Sequence, residues 1–313
     1  MRSPARQRGT PTGRVVTRQG PVLTVQTPEG ELIACIGQGK GKRAVVGDTV
    51  FTRPVNTDLA NAAIVDIAPR RNELARADGT GQRPRVIAAN VDRLVVVVAV
   101  QPPIRPGLID RLLVAAHAQG IEGRIVLNKI DLLDRDLKEE AELLLSPYPP
   151  IGYPVLPVSA RTGKNMDELA EWLSTGTSVL VGHSGVGKTS LLNGLCPGLG
   201  ERVRALSEAS GRGVHTTTSA SLFALPGGGE VIDSPGIRMF ALWGMEPEDL
   251  AEHFVDFVPF ADACRFANCR HDHEPGCAVK QAVDDGRIND ERYDSYLRLR
   301  ATLAGGELRG ADW

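Results

Sequence analysis

Hydrophobic and polar positions follow two different rhythms along the chain. From residue 13 to residue 69 they alternate in short runs separated by turn residues, which is typical of β-strands. Five short strands in so small a region predict a β-barrel, and the OB-fold is the five-stranded barrel that commonly binds nucleic acid. The runs are 14–17, 22–27, 31–36, 48–52 and 62–67.

Beyond a polar, Gly- and Arg-containing stretch at 70–90, which we predict to be a linker, strand-like and helix-like segments alternate. This alternation predicts a largely parallel sheet covered by helices. From about residue 243 the chain becomes helical and acidic, and it ends in a helix at 289–303. The predicted strands are 94–100, 124–127, 155–158, 178–181, 221–225 and 230–233, and the predicted helices are 108–116, 136–145, 166–173 and 188–195.

A glycine-rich loop follows the strand at 178–181 and matches the pattern G-x-x-x-x-G-K-[ST]. Glycines allow backbone N–H groups to wrap around phosphates, and the helix that follows adds a favourable dipole. Lys188 is expected to reach the terminal phosphates as a catalytic residue, and Thr189 to bind Mg²⁺. The predicted nucleotide contacts are Gly182, His183, Ser184, Gly185, Val186, Gly187, Lys188, Thr189 and Ser190.

The sequence Asn128-Lys129-Ile130-Asp131 follows the strand at 124–127. It indicates which base a bound nucleotide would carry. The Asp131 carboxylate can accept hydrogen bonds from the ring N–H and the amine of guanine. Adenine lacks both donors, and an unpaired carboxylate there is costly. Lys129 is expected to pack over the base and brace the P-loop, while Ser159-Ala160 could add a backbone donor to the guanine oxygen.

A second pair of motifs points to the γ-phosphate. Asp233 begins a D-x-x-G sequence, in which the carboxylate would hold Mg²⁺ through water and the Gly236 N–H would sense the phosphate. Between the P-loop and Asp233 lies a polar segment, 207–218, with three threonines in a row. Thr217, or alternatively Thr216, would give Mg²⁺ a second hydroxyl.

Gly236 is followed by Ile237 instead of the glutamine that orients water in Ras-like enzymes. We therefore expect slow intrinsic hydrolysis. His215, beside the threonines, is a candidate for positioning the water molecule.

Three of the five cysteines lie within fourteen residues beside two histidines. An odd number of cysteines argues against a disulfide framework and for a metal site. Three thiolates and one imidazole complete a tetrahedral shell with no open position, which is typical of structural zinc. The cysteines are Cys264, Cys269 and Cys277, and the fourth ligand is either His271 or His273.

The net charge of −2 hides an asymmetry, because residues 1–85 carry 14 basic and 7 acidic residues. This basic end predicts an anionic partner. Phe51 is its one aromatic residue, so RNA would be bound through phosphates by Lys40, Lys42 and Arg43 rather than by stacking. The longest apolar run, 94–100, is too short for a membrane span and no secretory signal is visible, so we expect a cytoplasmic protein.

The motif order differs from that of ordinary regulatory GTPases, which begin with the P-loop. Here the N-K-x-D and S-A motifs precede the P-loop and D-x-x-G comes last, as in a circular permutant. With a β-rich region before this core and Cys264-x₄-Cys269-x-His271-x₅-Cys277 after it, the chain resembles the YjeQ/RsgA family of small-subunit biogenesis GTPases. The resemblance selects His271 as the zinc ligand and implies action on the small ribosomal subunit and its rRNA.

The expected fold class is thus α/β: a circularly permuted P-loop GTPase domain with an N-terminal OB-fold β-barrel and a C-terminal helical zinc-binding domain. We expect a monomer that binds GTP or GDP, Mg²⁺ and one structural Zn²⁺, and that binds neither DNA nor membrane. Alternatives are a nucleotide-gated RNA-binding module with incidental hydrolysis and a GTPase that delivers metal. The predicted boundaries are a disordered N-terminus 1–12, the OB-fold 13–70, a linker 71–90, the GTPase domain 91–242 and the zinc domain 243–313.

Overall fold

The computed structural model describes residues 12–77, 84–198, 220–233 and 245–305. They fall into two compact units, each built from three stretches of the chain. No helix among the described residues is both long enough and apolar enough to cross a bilayer. The first unit takes its residues from Met1–Asp92, Ala170–Val179 and Leu192–Met239, and the second from Arg93–Leu169, Leu180–Leu191 and Phe240–Trp313.

The five strands predicted near the N-terminus are confirmed, and we call them together the N-terminal β-assembly. Strands β1, β2 and β3 pair antiparallel, β3 pairs parallel with β5, and β5 pairs antiparallel with β4. A further pairing of β1 with β4 brings the sequence of partners back to the first strand. The strands are β1 (Gly13–Gln19), β2 (Val22–Gln26), β3 (Leu32–Gly37), β4 (Thr49–Thr57) and β5 (Ala60–Ile67), with a 3₁₀ helix at Gly39–Arg43.

The prediction of a linker at 70–90 was wrong, because an antiparallel pair of strands, β6 (Glu73–Ala77) and β7 (Pro84–Ala89), lies there. Polar composition hid two buried positions, Leu74 and Ala88, which are fully shielded from solvent. The Asn72 side chain closes the base of this pair by exchanging hydrogen bonds of 2.7 and 2.8 Å with the backbone of Val91.

The predicted alternation of strands and helices is confirmed for the described residues from 91 onward. Because successive parallel strands need a crossover, helices separate most of the strands. The strands are β8 (Arg93–Ala99), β9 (Glu122–Asn128), β10 (Val155–Pro157), β11 (Thr177–Val181), β12 (Ser221–Ala224) and β13 (Glu230–Asp233). The helices are α1 (Pro106–His117), α2 (Arg135–Leu145), α3 (Met166–Trp172), α4 (Lys188–Leu195), α5 (Val258–Ala261), α6 (Ala278–Asp284) and α7 (Asp290–Leu303).

In the first unit, β13 pairs parallel with β11 and antiparallel with β12. Strand β12 also pairs with β1 of the N-terminal β-assembly. Ser221 is the shared position, since its partners are Thr17 on one side and Asp233 on the other. The N-terminal β-assembly is therefore joined by backbone pairing to the strands that precede the D-x-x-G motif.

In the second unit, β8, β9 and β10 form a parallel sheet in the order β10-β9-β8. Every residue of β8 is buried, as expected of a parallel strand covered on both faces. Asn128 ends β9, so the base-selecting motif starts at the carboxyl edge of this sheet. In open α/β sheets this edge is where ligands bind.

The C-terminal helices pack on α1 within the second unit. Phe254, Phe257 and Tyr296 form the centre of this core, and Val114 of α1 belongs to the same cluster. A buried cation crosses the junction, because Arg292 of α7 donates to Asp110 of α1 at 2.7 Å and bonds Asp256 at 2.6 and 2.8 Å. Burial lowers the pKa of Arg292, but its hydrogen bonds to Asp256 and the charges of both carboxylates outweigh burial and raise that pKa.

Candidate active site and metal centre

Two glycines of the P-loop lie where no side chain fits. Gly182 has a φ of +143°, and a Cβ there would lie 2.1 Å from the carbonyl oxygen of Val97. Gly187 has a φ of +93°, and its Cβ would lie 2.3 Å from Nδ2 of Asn128. The glycines of the motif thus allow the loop to pack tightly against strand β8 and the N-K-x-D sequence. Such a loop presents successive N–H groups to an anion.

Lys188 begins α4 and folds back over the P-loop. Its ammonium donates hydrogen bonds to the carbonyl oxygens of Gly182 at 2.8 Å and His183 at 2.7 Å. Thr189 and Ser190, in the first turn of the helix, are exposed. A lysine, an exposed hydroxyl and a helix N-terminus are thus presented together, which is the arrangement that binds a terminal phosphate and its Mg²⁺.

Asn128 connects three of the predicted motifs. Its side chain is 1% exposed; Nδ2 donates to the carbonyl oxygen of Val186 in the P-loop at 2.9 Å, and Oδ1 accepts from the N–H of Ala160 at 3.1 Å. The sequence assigned the bracing of the P-loop to Lys129 and a guanine contact to Ala160. In the structure Asn128 provides the brace and uses the Ala160 N–H, while the guanine contact of Ala160 stays a prediction.

Asp131 is oriented by hydrogen bonds from its neighbours. The Ser159 hydroxyl donates to Oδ1 at 2.6 Å, and an Arg161 guanidinium nitrogen lies 3.4 Å from Oδ2. The Asp131 side chain is 11% exposed, whereas that of Arg161 is 78% exposed. A carboxylate held at this depth keeps lone pairs for a ligand that offers two adjacent donors, as the guanine edge does.

Gln101 and Arg161 contribute to this site but were not predicted from the sequence to do so. Lys129, which has a left-handed backbone with φ +63°, donates from Nζ to the carbonyl oxygen of Gln101 at 2.7 Å. Gln101 follows β8 and matches no motif, and a backbone acceptor leaves no signature in residue types. Arg161 lies two residues beyond Ser159, so its nearness to Asp131 could have been anticipated from the order Ser-Ala-Arg.

Asp233, the last residue of β13, is half-buried and belongs to the first unit. The other predicted phosphate-sensing residues, His215, Thr216, Thr217 and Gly236, lie outside the described residues. Their roles therefore stay predictions from the sequence.

Four residues near the C-terminus form a cluster that can hold a metal ion. The ligand atoms of Cys264, Cys269, His271 and Cys277 all lie within 4.8 Å of one another. His271 Nδ1 is 3.5 Å from the Cys264 sulfur and 3.4 Å from the Cys277 sulfur, and these two sulfurs are 3.9 Å apart. A tetrahedral zinc ion would separate sulfurs by about 3.8 Å and sulfur from nitrogen by about 3.5 Å. His273 is exposed and lies beside Asp272, outside the cluster.

The surrounding polypeptide fixes this cluster. The Tyr293 and Tyr296 hydroxyls of α7 donate to the carbonyl oxygens of His271 at 2.8 Å and Arg270 at 2.6 Å. Backbone N–H groups of Ala278 and Lys280 point at the sulfurs of Cys264 and Cys277. Burial lowers the pKa of His271, which favours the neutral imidazole that binds metals, and raises that of Cys269 to about 12. A metal that binds here must therefore displace thiol protons.

The parallel sheet, the P-loop cradle and the oriented Asp131 define a P-loop nucleotide-binding protein with guanine-selecting motifs. The model of the RsgA GTPase family matches residues 67–243. The small ribosomal subunit biogenesis GTPase RsgA of Ectopseudomonas mendocina is 45% identical over 93% of this chain and 85% of its own length. The protein of the same name from Haemophilus influenzae is 43% identical over 93% of this chain and 85% of its own length.

Two solved structures agree with this result. YjeQ from Thermotoga maritima superposes with a TM-score of 0.75 at 34% identity, covering 94% of this chain and 99% of its own. YloQ, described as a circularly permuted GTPase, superposes with a TM-score of 0.72 at 29% identity, covering 96% of both chains. The chain therefore belongs to the RsgA GTPase family and is a GTP hydrolase with a circularly permuted fold.

Proposed function

We propose that the protein hydrolyses GTP while bound to the small ribosomal subunit, assists late maturation of that subunit, and uses hydrolysis to leave it. The names of its relatives assign those proteins to small ribosomal subunit biogenesis. The observation that carries the guanine-nucleotide part is the orientation of Asp131 by Ser159, next to a P-loop braced by Asn128. We further propose that the protein is a cytoplasmic monomer that does not bind DNA.

In the proposed reaction, water attacks the γ-phosphorus of GTP and the bond to the β,γ-bridging oxygen breaks, giving GDP and phosphate. Lys188 and the P-loop N–H groups stabilise charge on the phosphates. Thr189, Asp233 and Thr217 are the proposed protein ligands around Mg²⁺, which would neutralise charge on the phosphate oxygens. Gly236 would sense the γ-phosphate, and His215 is the candidate to orient the water.

We propose that the N-terminal β-assembly is an OB-type barrel and that it binds rRNA. Lys40, Lys42 and Arg43 are all exposed on or beside its 3₁₀ helix, Gly39–Arg43. Phe51 is only partly exposed. Contacts to phosphates rather than stacking on bases therefore dominate the proposed interface, which predicts a strong dependence on salt.

One structural Zn²⁺ is the proposed occupant of the Cys264, Cys269, His271 and Cys277 cluster. The distances between these atoms suit a tetrahedral ion, and four protein ligands leave no open position for catalysis. The cluster would thus fold the C-terminal segment rather than deliver metal.

Base selection is tested by the variant Asp131→Asn. An asparagine can accept from the ring N–H of xanthine and donate to its extra carbonyl, so affinity should shift from GDP to xanthosine diphosphate. Fluorescence titrations of both nucleotides measure this shift. Asp134→Asn is the matched control, because Asp134 caps α2 through Leu137 and asparagine also caps helices. Unchanged GDP preference in Asp131→Asn would remove the proposed base contact.

The proposed partner is tested by GTP hydrolysis with small subunits, with large subunits and with neither. We expect stimulation by small subunits only. The triple variant Lys40→Ala, Lys42→Ala and Arg43→Ala should weaken subunit binding and flatten its salt dependence. Lys138→Ala with Arg135→Ala on the exposed face of α2 is the control. Hydrolysis that ignores both subunits would separate the GTPase from the ribosome.

A further inference from the structure

One row of residues crosses three strands and joins the N-terminal β-assembly to the D-x-x-G motif. Thr17 of β1 pairs with Ser221 of β12, and Ser221 pairs with Asp233 of β13. Thr17 and Ser221 are 1% and 8% exposed, so the row is shielded from water on the N-terminal side. A displacement of Asp233 along or across its strand would be transmitted to β1 through Ser221, the one residue between Asp233 and Thr17 in this row.

Arg14, a side chain of the N-terminal β-assembly, contacts the first residues of two strands, β13 and β11. Arg14 of β1 forms an ion pair with Glu230, the first residue of β13. Its second guanidinium nitrogen donates to the Thr177 hydroxyl at 2.9 Å, and Nε donates to the carbonyl oxygen of Gly47 at 3.3 Å. Thr177 in turn donates to Glu230 at 3.0 Å.

The two strands held by Arg14 both lead into nucleotide-binding sequences. Thr177 and Glu230 are register partners in the parallel pair β11–β13. Strand β11 continues along the chain into Gly182, the first glycine of the P-loop, and β13 ends at Asp233. Arg14 therefore ties together the starting points of both strands, and its planar fork allows one side chain to bond Glu230 and Thr177 at once.

We propose that Arg14 is a positioning residue for GTP hydrolysis, supplied by the N-terminal β-assembly, which acts by fixing β13 and through it the Asp233 carboxylate. This inference rests on the proposed Mg²⁺ role of Asp233. It also identifies a route by which a partner bound to the N-terminal β-assembly alters hydrolysis, since coupling between two sites is reciprocal.

The test compares Mg²⁺ titrations of single-turnover hydrolysis for the unaltered chain, Arg14→Ala, Arg14→Lys and Asp233→Asn. We expect Arg14→Ala to raise the Mg²⁺ concentration for half-maximal rate and to lower the rate at saturation, each about fivefold, because a small misplacement of a carboxylate is costly. GDP affinity measured in a chelator should stay the same. Arg14→Lys keeps the charge and should recover part of the loss. Arg53→Ala is the control, since the exposed Arg53 of β4 donates a hydrogen bond to the Gln38 side chain at 2.6 Å.

The Mg²⁺ titrations distinguish a failure of this inference from a failure of the proposed function. If Arg14→Ala behaves like Arg53→Ala in the Mg²⁺ titration while Asp233→Asn shows a raised requirement, the inference is wrong and the proposed function stands. If Asp233→Asn shows no raised requirement, the proposed Mg²⁺ role fails and the inference falls with it. A lowered Tm in Arg14→Ala with an unchanged Mg²⁺ requirement would mean a purely structural role and would also overturn it. The double variant Arg14→Ala with Glu230→Ala should be no slower than the slower single variant, and additive losses would contradict the pairing.

Discussion

The N-terminal β-assembly and the C-terminal helices are attached in physically different ways. In the second unit, the C-terminal helices are held to α1 by Arg292, whose side chain is 3% exposed, between Asp110 at 0% and Asp256 at 5%. In the first unit, the N-terminal β-assembly is held to β12 and β13 by a strand pairing and by Arg14 and Glu230, whose side chains are 28% and 26% exposed.

We call the contacts of Arg292 with Asp110 and Asp256 the fixed junction, and the contact of Arg14 with Glu230 the adjustable junction. Removing one partner of a buried ion pair leaves an uncompensated charge and costs about 3–5 kcal/mol, whereas partly exposed pairs contribute about 0–1 kcal/mol. Coupling free energies between ligand sites are about 1–3 kcal/mol. We therefore expect a nucleotide-dependent change to move the contacts of Arg14 more readily than those of Arg292. The comparison favours the N-terminal β-assembly as the part that responds to the nucleotide.

The largest effect should follow loss of the metal. Because three thiols and an imidazole from separate positions of a small helical segment would bind one ion, Cys269→Ser should abolish stoichiometric zinc and the cooperative folding of residues 245–305. Zinc content and protease resistance of this segment measure the change. His273→Ala, at an exposed neighbouring histidine, is the control and should keep both. Retention of zinc by Cys269→Ser would remove this residue from the ligand set.

The next effect concerns the fixed junction. Arg292→Ala should lower the free energy of unfolding by about 3–5 kcal/mol, since Asp110 and Asp256 lose their buried partner. Urea denaturation measures this loss. Arg298→Ala, at an exposed position of the same helix, should cost little. Equal losses in the two variants would show that the buried pair is not what fixes this junction.

The sequence predicted most elements because short-range patterns determine them. The P-loop, N-K-x-D and Cys/His motifs lie where strand–helix alternation placed them, and Asp131, Ser159, Lys188 and the four cluster residues are all in contact with other predicted site residues. Each of these motifs is a local sequence whose chemistry demands particular residue types, so no knowledge of distant contacts was required.

Long-range pairings could not be predicted in this way. The contact of Arg14 with Glu230 spans 216 positions, and the pairing of Thr17 with Ser221 depends only on backbone groups that every residue carries. The acceptor for Lys129 is likewise a backbone carbonyl. Strands β6 and β7 were not predicted because β6 contains no β-branched or aromatic residue, and β7 has only the adjacent pair Val86 and Ile87, which does not alternate with polar residues.

A smaller effect is expected at the adjustable junction. Arg14→Ala should lower the free energy of unfolding by about 1 kcal/mol or less, because the pair with Glu230 is partly exposed. Urea denaturation beside Arg292→Ala gives the comparison directly. A loss as large as that of Arg292→Ala would contradict the division into fixed and adjustable junctions.

The smallest effect is a pH dependence of stability at the contact between His117 of α1 and His253. His253 lies with its Nδ1 3.1 Å from that of His117, and burial followed by the His117 charge lowers its pKa below 6.5, against opposing effects of Glu252 and Asp249. The stabilising contribution of neutral His253 is complete above about pH 6.5 and is lost as pH falls through its folded pKa. His253→Gln should therefore lose less stability than the unaltered chain between pH 7.5 and 5.5 at constant zinc. Identical losses would contradict it.

The most direct test of the account is amide hydrogen exchange with bound GDP and with a non-hydrolysable GTP analogue and Mg²⁺. Protection should change in β1 and β12, where Thr17 and Ser221 pair, and should stay constant in α7 around Arg292. Changes confined to α7, with β1 and β12 unaltered, would contradict the claim that the nucleotide state is transmitted to the N-terminal β-assembly.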